Sequence, residues 1–111
     1  MSIVRSVPYK VEISAETVED ANNILNRLLD QRLITGGQII KSPARFLWKG
    51  DVVDMDYITI TSFTVDTHKA QIIEVVESVS AEEVPMICFL PFEGNRLLEN
   101  WIKSTVEATD Q

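Results

Sequence analysis

One cysteine, one histidine, four glycines and four prolines are all that 111 residues contain of the types that build disulfides, thiolate or imidazole metal centres and tight turns. A lone thiol, Cys88, rules out an intrachain disulfide. With His68 as the only imidazole, the paired spacings of a zinc site are absent as well. Long apolar runs are also missing. The longest, Val84 to Phe92, contains Pro85 and Pro91 and reaches about half the length of a bilayer span. The first ten residues, Met1 to Lys10, carry no apolar core of signal-peptide length. Positive charge is scarce too: ten Lys and Arg face seventeen Asp and Glu, for a net charge of −7 and a pI near 4.6. Such a balance argues against non-specific nucleic-acid binding, which needs a cation for each phosphate contact, and against an anionic membrane surface. The expectation is a cytoplasmic protein that binds neither nucleic acid nor membrane.

What is present is ordinary globular material, 45% hydrophobic and 24% charged, enough for one domain spanning residues 1–111. Tyr9, Val11 and Ile13 alternate with Lys10, Glu12 and Ser14, which predicts a strand over Tyr9 to Ser14. Ser14 or Thr17 then offers an N-cap, with Glu16, Glu19 and Asp20 suited to a helix N-terminus. Val18, Ala21, Leu25, Leu28, Leu29 and Arg32 recur at helical spacing, and Gly36-Gly37 reads as the stop. Gln38 to Trp48 is extended but interrupted by Pro43, so this strand is expected at a sheet edge, bent or bulged. Lys49-Gly50 reads as a tight hairpin turn with a positive φ at the glycine. The return strand, Val52 to Val65, puts Tyr57, Thr59, Thr61 and Phe63 on one side and Ile58, Ile60 and Ser62 on the other.

Asp66 is the expected cap of a second helix with Ile72, Ile73, Val76 and Val79 as its apolar stripe. Ser80 to Glu83 is a loop, and Val84 to Leu90 reads as a buried strand. Gly94-Asn95 opens a third helix that packs through Leu97, Leu98, Trp101, Ile102 and Thr105, followed by a fraying tail from Glu107 to Gln111. The order strand, helix, strand, strand, helix, strand is a split βαβ pair. It predicts an α+β, ferredoxin-like βαββαβ sandwich with an elongated β2–β3 hairpin and an extra C-terminal helix.

Catalytic signatures are missing: there is no P-loop, dinucleotide-binding glycine pattern or nucleophile elbow. The chain is expected not to be an enzyme, and a hydrolase finds no convergent acid, base or nucleophile. His68, two residues after the expected cap, is read as a solvent-facing side chain at a helix start. Asp54 and Asp56, two apart on a strand, project to one side where they can share a cation; the alternative is a charged hairpin arm kept soluble by its aspartates. Glu82 and Glu83 are expected to face water. Cys88, inside Met86 to Leu90, is expected to be a small buried hydrophobe. Lys41, Arg45 and Lys49 interleave with Phe46 and Trp48, but three cations within a net charge of −7 make a poor single-strand nucleic-acid platform. Trp48 is read as core or subunit interface.

Taken together, Arg32-Leu33, Ile39-Ile40, Trp48-Lys49-Gly50, Glu83-Val84-Pro85-Met86-Ile87, Pro91, Gly94-Asn95 and Trp101-Ile102 resemble the CutA family of divalent-cation tolerance proteins. The matches run in order along nearly the whole chain. The resemblance implies a ferredoxin-like subunit assembled as a homotrimer by pairing of strand edges. Phe46, Trp48, Tyr57 and Pro85 then serve as interface residues. It further implies a cytoplasmic, non-enzymatic role in tolerance of copper and other divalent cations. The family trimer is similar to that of the PII signalling proteins, so a sensor binding a small molecule or partner protein in the intersubunit clefts is the alternative. Departures are specific. Ile13 stands where copper-binding members carry Cys, and Ser80-Ala81-Glu82 where they carry His-Pro-Tyr. Asp51 and Phe63 replace lysines, and a further family Cys gives way at Thr35-Gly36. With those soft ligands gone, Asp54, Asp56, Glu83 and His68 are the remaining metal candidates, suited to a weakly held divalent cation.

Overall fold

A computed structural model describes residues 6–107. The elements run β1 (Pro8–Ala15), α1 (Val18–Asp30), β2 (Gln38–Trp48), β3 (Asp51–Val65), α2 (Lys69–Val79), β4 (Ile87–Pro91) and α3 (Arg96–Val106), with a 3₁₀ turn over Asp66–His68 before α2. The four strands form one antiparallel sheet in the order β2-β3-β1-β4. This is the expected α+β, ferredoxin-like arrangement. Pro43 lies on edge strand β2, where a missing N–H is tolerated, and the register runs unbroken past it, Pro43 opposite Asp56.

Strand periodicity decides what each sheet face meets. Val11, Ile13 and Ala15 of β1 share a face with Ile58 and Ile60 of β3, and all five are buried. They pack against Ala21, Ile24 and Leu28 of α1 and against Ile72, Val75 and Val76 of α2. Each fully buried Ile or Leu there contributes about 1.5–3 kcal/mol. The opposite face carries Lys10, Glu12, Ser14, Tyr57, Thr59, Thr61 and Phe63. One end of it is covered by α3, where Ile102 and Val106 meet Val65, with Phe63, Phe92 and Leu98 around them. Among the described residues, no helix lies over the rest of that face.

Several expectations are corrected. α1 does not run to Gly36-Gly37. It ends at Asp30, with Arg32 at φ 55°, and Arg32 N–H donates to Leu29 O while Leu33 N–H donates to Leu28 O. That is a Schellman motif, closed by burial of Leu33 against the core. Ile24 takes the buried place on α1, while Val18 and Leu29 are exposed; on α2 Val75 is buried and Ile73 is not. Asp66 does not cap α2. Its carboxylate accepts from Val7 N–H and its own N–H donates to Val7 O, clamping the start of β1. The last strand is shorter than expected and lies at the sheet edge beside β1 alone, so Val84 and Cys88 are exposed rather than buried. On α3, Leu97 and Trp101 are 74% and 48% exposed, because the packing face turns on Leu98, Ile102 and Val106 instead. The tail beyond Glu107 lies outside the described residues.

The hairpin outgrows the sheet. β1 pairs with β3 from Ile58 to Val65 and no further, so residues 42–48 and 51–57 continue as a two-stranded arm. Seven residues of strand extend it by about 23 Å. The molecule is accordingly elongated, 54 × 27 × 22 Å. At the tip Lys49 and Gly50 both have positive φ, 51° and 89°, as a two-residue type I′ turn requires.

Candidate functional site

Period-two alternation places Phe46 and Trp48 of β2 on the same side of the arm as Val53, Met55 and Tyr57 of β3. This side is continuous with the helix-free sheet face. The Phe46 and Tyr57 rings lie 5.7 Å apart. Where the arm leaves the sheet, the segment between α2 and β4 crosses beside it, and the two enclose a cleft of about 330 Å³. Its walls are Phe46, Trp48 and Tyr57 from the arm, with Val84 from the crossing segment. Glu16, Glu82 and Glu83 supply its charge.

The crossing segment is held by a small polar network. Ser80 Oγ accepts from Glu82 N–H at 3.0 Å, a local turn that aims the Glu82 side chain at the sheet. Its carboxylate there accepts from the buried Ser14 hydroxyl at 2.6 Å and from the Tyr57 hydroxyl. Ser14 Oγ in turn accepts from Met86 N–H at 2.8 Å, and Ser14 N–H donates to Met86 O at 3.0 Å. Burial, and then the acceptor Glu82, push the Tyr57 phenol up to about 12, because both disfavour the phenolate. Tyr57 therefore remains a donor throughout the neutral range.

The four metal candidates are not brought together. Asp54 and Asp56 share the other face of the arm, and Asp54 pairs with Arg45 at 2.6 Å across the strands. Glu83 meets Lys49 at 3.2 Å beside the cleft. His68, expected in solvent, is half-buried, with Nε2 2.6 Å from Val106 O at the far end of the sheet. Among the described residues no group of three or more His, Cys, Asp or Glu is placed to hold a metal ion. Of the interface candidates, Phe46, Trp48 and Tyr57 stand together on the arm, and Pro85 lies in the segment leading into β4. Sequence reasoning missed the contact between Ser14 and Glu82. They are 68 residues apart, and alternation marks the face of Ser14 but nothing marks its partner.

A second hollow of about 220 Å³ lies at the other end of the open face, between Trp101 and the segment Thr35 to Gln38. Among the described residues no helix is long and apolar enough to cross a membrane.

Comparison with known proteins gives consistent matches. The family model described as CutA1 divalent ion tolerance protein matches residues 9–105. The divalent-cation tolerance protein CutA of Archaeoglobus fulgidus is 28% identical over 98 residues, covering 87% of this chain and 96% of that protein. The solved structure of the periplasmic divalent cation tolerance protein CutA from the same organism has a TM-score of 0.86 at 25% identity, covering 91% of this chain and 100% of the other. The divalent cation tolerance protein Cut A1 from Thermus thermophilus has a TM-score of 0.84 at 25% identity, covering 90% of this chain and 99% of that one.

Proposed function

The chain belongs to the CutA1 divalent ion tolerance family, and from that premise we propose that it acts as a non-enzymatic homotrimer in the cellular response to copper and other divalent cations. One domain over residues 1–111 forms the subunit, and Phe46, Trp48, Tyr57 and Pro85 face the neighbours. The supporting observation is the hairpin arm. Leu47 and Val52, directly opposite each other, are 75% and 65% exposed, while Phe46, Trp48, Val53 and Met55 line the reverse side. An arm that exposes apolar side chains on both faces, attached to a sheet whose β2 and β4 edges pair with no other described strand, is an aggregation hazard unless copies of the chain close it. The cytoplasm, where thiols stay reduced, suits the exposed free thiol of Cys88. Sedimentation equilibrium at micromolar concentration is expected to give three copies, and a monomer overturns the assembly. Loss of the chain from its host is expected to reduce growth in elevated copper; unchanged growth overturns the tolerance role.

The cleft beside the arm supports the second reading, a PII-like sensor that takes a small molecule or partner protein between subunits. Its volume lies at the lower end of the range for small-molecule sites.

A further inference from the structure

Three aromatic rings and three carboxylates line the same cleft, and among the described residues no Lys or Arg is part of its lining. Apolar walls alone suit many ligands. The combination of ring faces with anionic oxygens is selective, because a ring's negative face and a carboxylate both attract positive charge and do not compete for it. The chain as a whole is at net −7, so the surrounding field has the same sign.

The carboxylates are not equivalent. Glu83 is engaged by Lys49 at 3.2 Å. Among the described residues Glu16 and Glu82 have no ion-pair partner. Glu82 is fixed in direction, since Ser14 and Tyr57 each donate to one of its oxygens. Two donors leave a carboxylate with lone pairs to spare, and because both are hydroxyls they steady the charge without cancelling it. The chain also rehearses the recognition at the cleft's rim. The Lys49 ammonium sits 5.3 Å above the Trp48 ring while it pairs with Glu83, so an alkylammonium is accommodated by an aromatic and an acid side by side.

We infer that the cleft binds a small organic cation, an alkylammonium, with its charge against Glu16 and Glu82 and its carbon skeleton against Phe46, Trp48 and Tyr57. The inference deepens the small-molecule reading of this cleft and rests on it. A hard metal ion gains nothing from aromatic walls and needs a shell of oxygens. An anion is excluded by the carboxylates. A cation with attached carbon uses every wall that is present.

The test is calorimetry or chemical-shift titration of the full chain with tetramethylammonium and butylammonium. Their neutral counterparts, tert-butyl alcohol and butanol, serve as comparison. Saturable binding of the cations is expected, weaker in higher salt and stronger than that of the alcohols. Trp48→Ala and Glu82→Gln are each expected to weaken it by roughly tenfold, about the loss of one desolvated cation–π or charge contact. Trp48 is partly exposed and Glu82→Gln keeps one acceptor oxygen, so both variants are expected to fold and assemble as the parent does, which circular dichroism and sedimentation check. Equal binding of cations and alcohols overturns the inference while leaving a ligand cleft in place. Binding that neither variant weakens also overturns it. No binding of any probe removes both the inference and the small-molecule reading.

Discussion

His68 Nε2 lies 2.6 Å from the carbonyl oxygen of Val106, joining the turn before α2 to the last turn of α3. The ring N–H donates to a carbonyl that has no partner further along its own helix. His68→Ala is therefore expected to cost about 1–3 kcal/mol, the penalty of leaving a partly desolvated acceptor unpaired. Urea unfolding checks this, and hydrogen exchange should show the amides of α3 loosening first. An unchanged midpoint with unchanged α3 protection would mean that the contact carries no stability.

Gly50 has φ 89°, and a Cβ built there would meet nothing within 4 Å. The first cost of Gly50→Val is thus conformational strain at a positive φ, since the added Cβ stands in open space. The expected cost is about 1–2 kcal/mol, falling on the arm, so that assembly suffers more than secondary structure. Circular dichroism with sedimentation separates the two. A trimer with unaltered melting temperature would show that the turn does not set the arm's geometry.

Tyr57 gives the stability a dependence on alkaline pH. Its folded-state value of about 12 is raised above the ordinary 10, so the folded chain holds the proton more tightly than the unfolded chain does. The contribution is complete below about pH 10 and is lost as pH rises through about 12. Ultraviolet titration should show a phenol that ionises late. In Tyr57→Phe that late step disappears, and the decline in stability over the same window becomes shallower. A titration with no late phenol would mean that the part-buried hydrogen bond to Glu82 does not hold the proton.

Copper and zinc are expected to find no stoichiometric site tighter than roughly micromolar, because such sites gather three or four imidazole or thiolate ligands. His68 and Cys88 lie on different elements, and Asp54, Asp56 and Glu83 are dispersed over the arm and its surroundings. Calorimetry of metal-free protein measures this directly. A nanomolar site with one metal per subunit or per trimer, lost in His68→Ala or Cys88→Ser, would restore direct metal binding.

Much of the fold was legible because strand alternation is a local signal. The two faces of β3, the edge position imposed by Pro43 and the turn at Lys49-Gly50 all follow from neighbouring residues. Helix ends and faces were less legible. Arg32 adopts a left-handed conformation that usually favours glycine, at a strain that burial of Leu33 offsets, and the Gly36-Gly37 pair downstream supplied a stronger but misleading stop signal. β4 has the composition of a buried strand but neighbours β1 alone, and strand order is a property of the whole chain. The Ser14–Glu82 bond at the cleft was illegible for the same reason, since it depends on where a loop lands on a strand 68 residues away.

The strand order also sets a timetable for synthesis. β1 emerges first from the ribosome, yet its partners β3 and β4 emerge later, the last of them after about eighty further residues have been made, and such distant pairings are slow to form. β2 and β3, by contrast, are joined by two residues and can zip as soon as both are out, within microseconds of becoming free. Until β1 docks on β3, the nascent chain therefore displays a finished hairpin held only by its own two strands. Arg45, Lys49, Asp51, Asp54 and Asp56 along the arm, with Pro43 in β2, keep that interval soluble, so a change that removes them is expected to lower yield from translation before it alters any property of the folded protein.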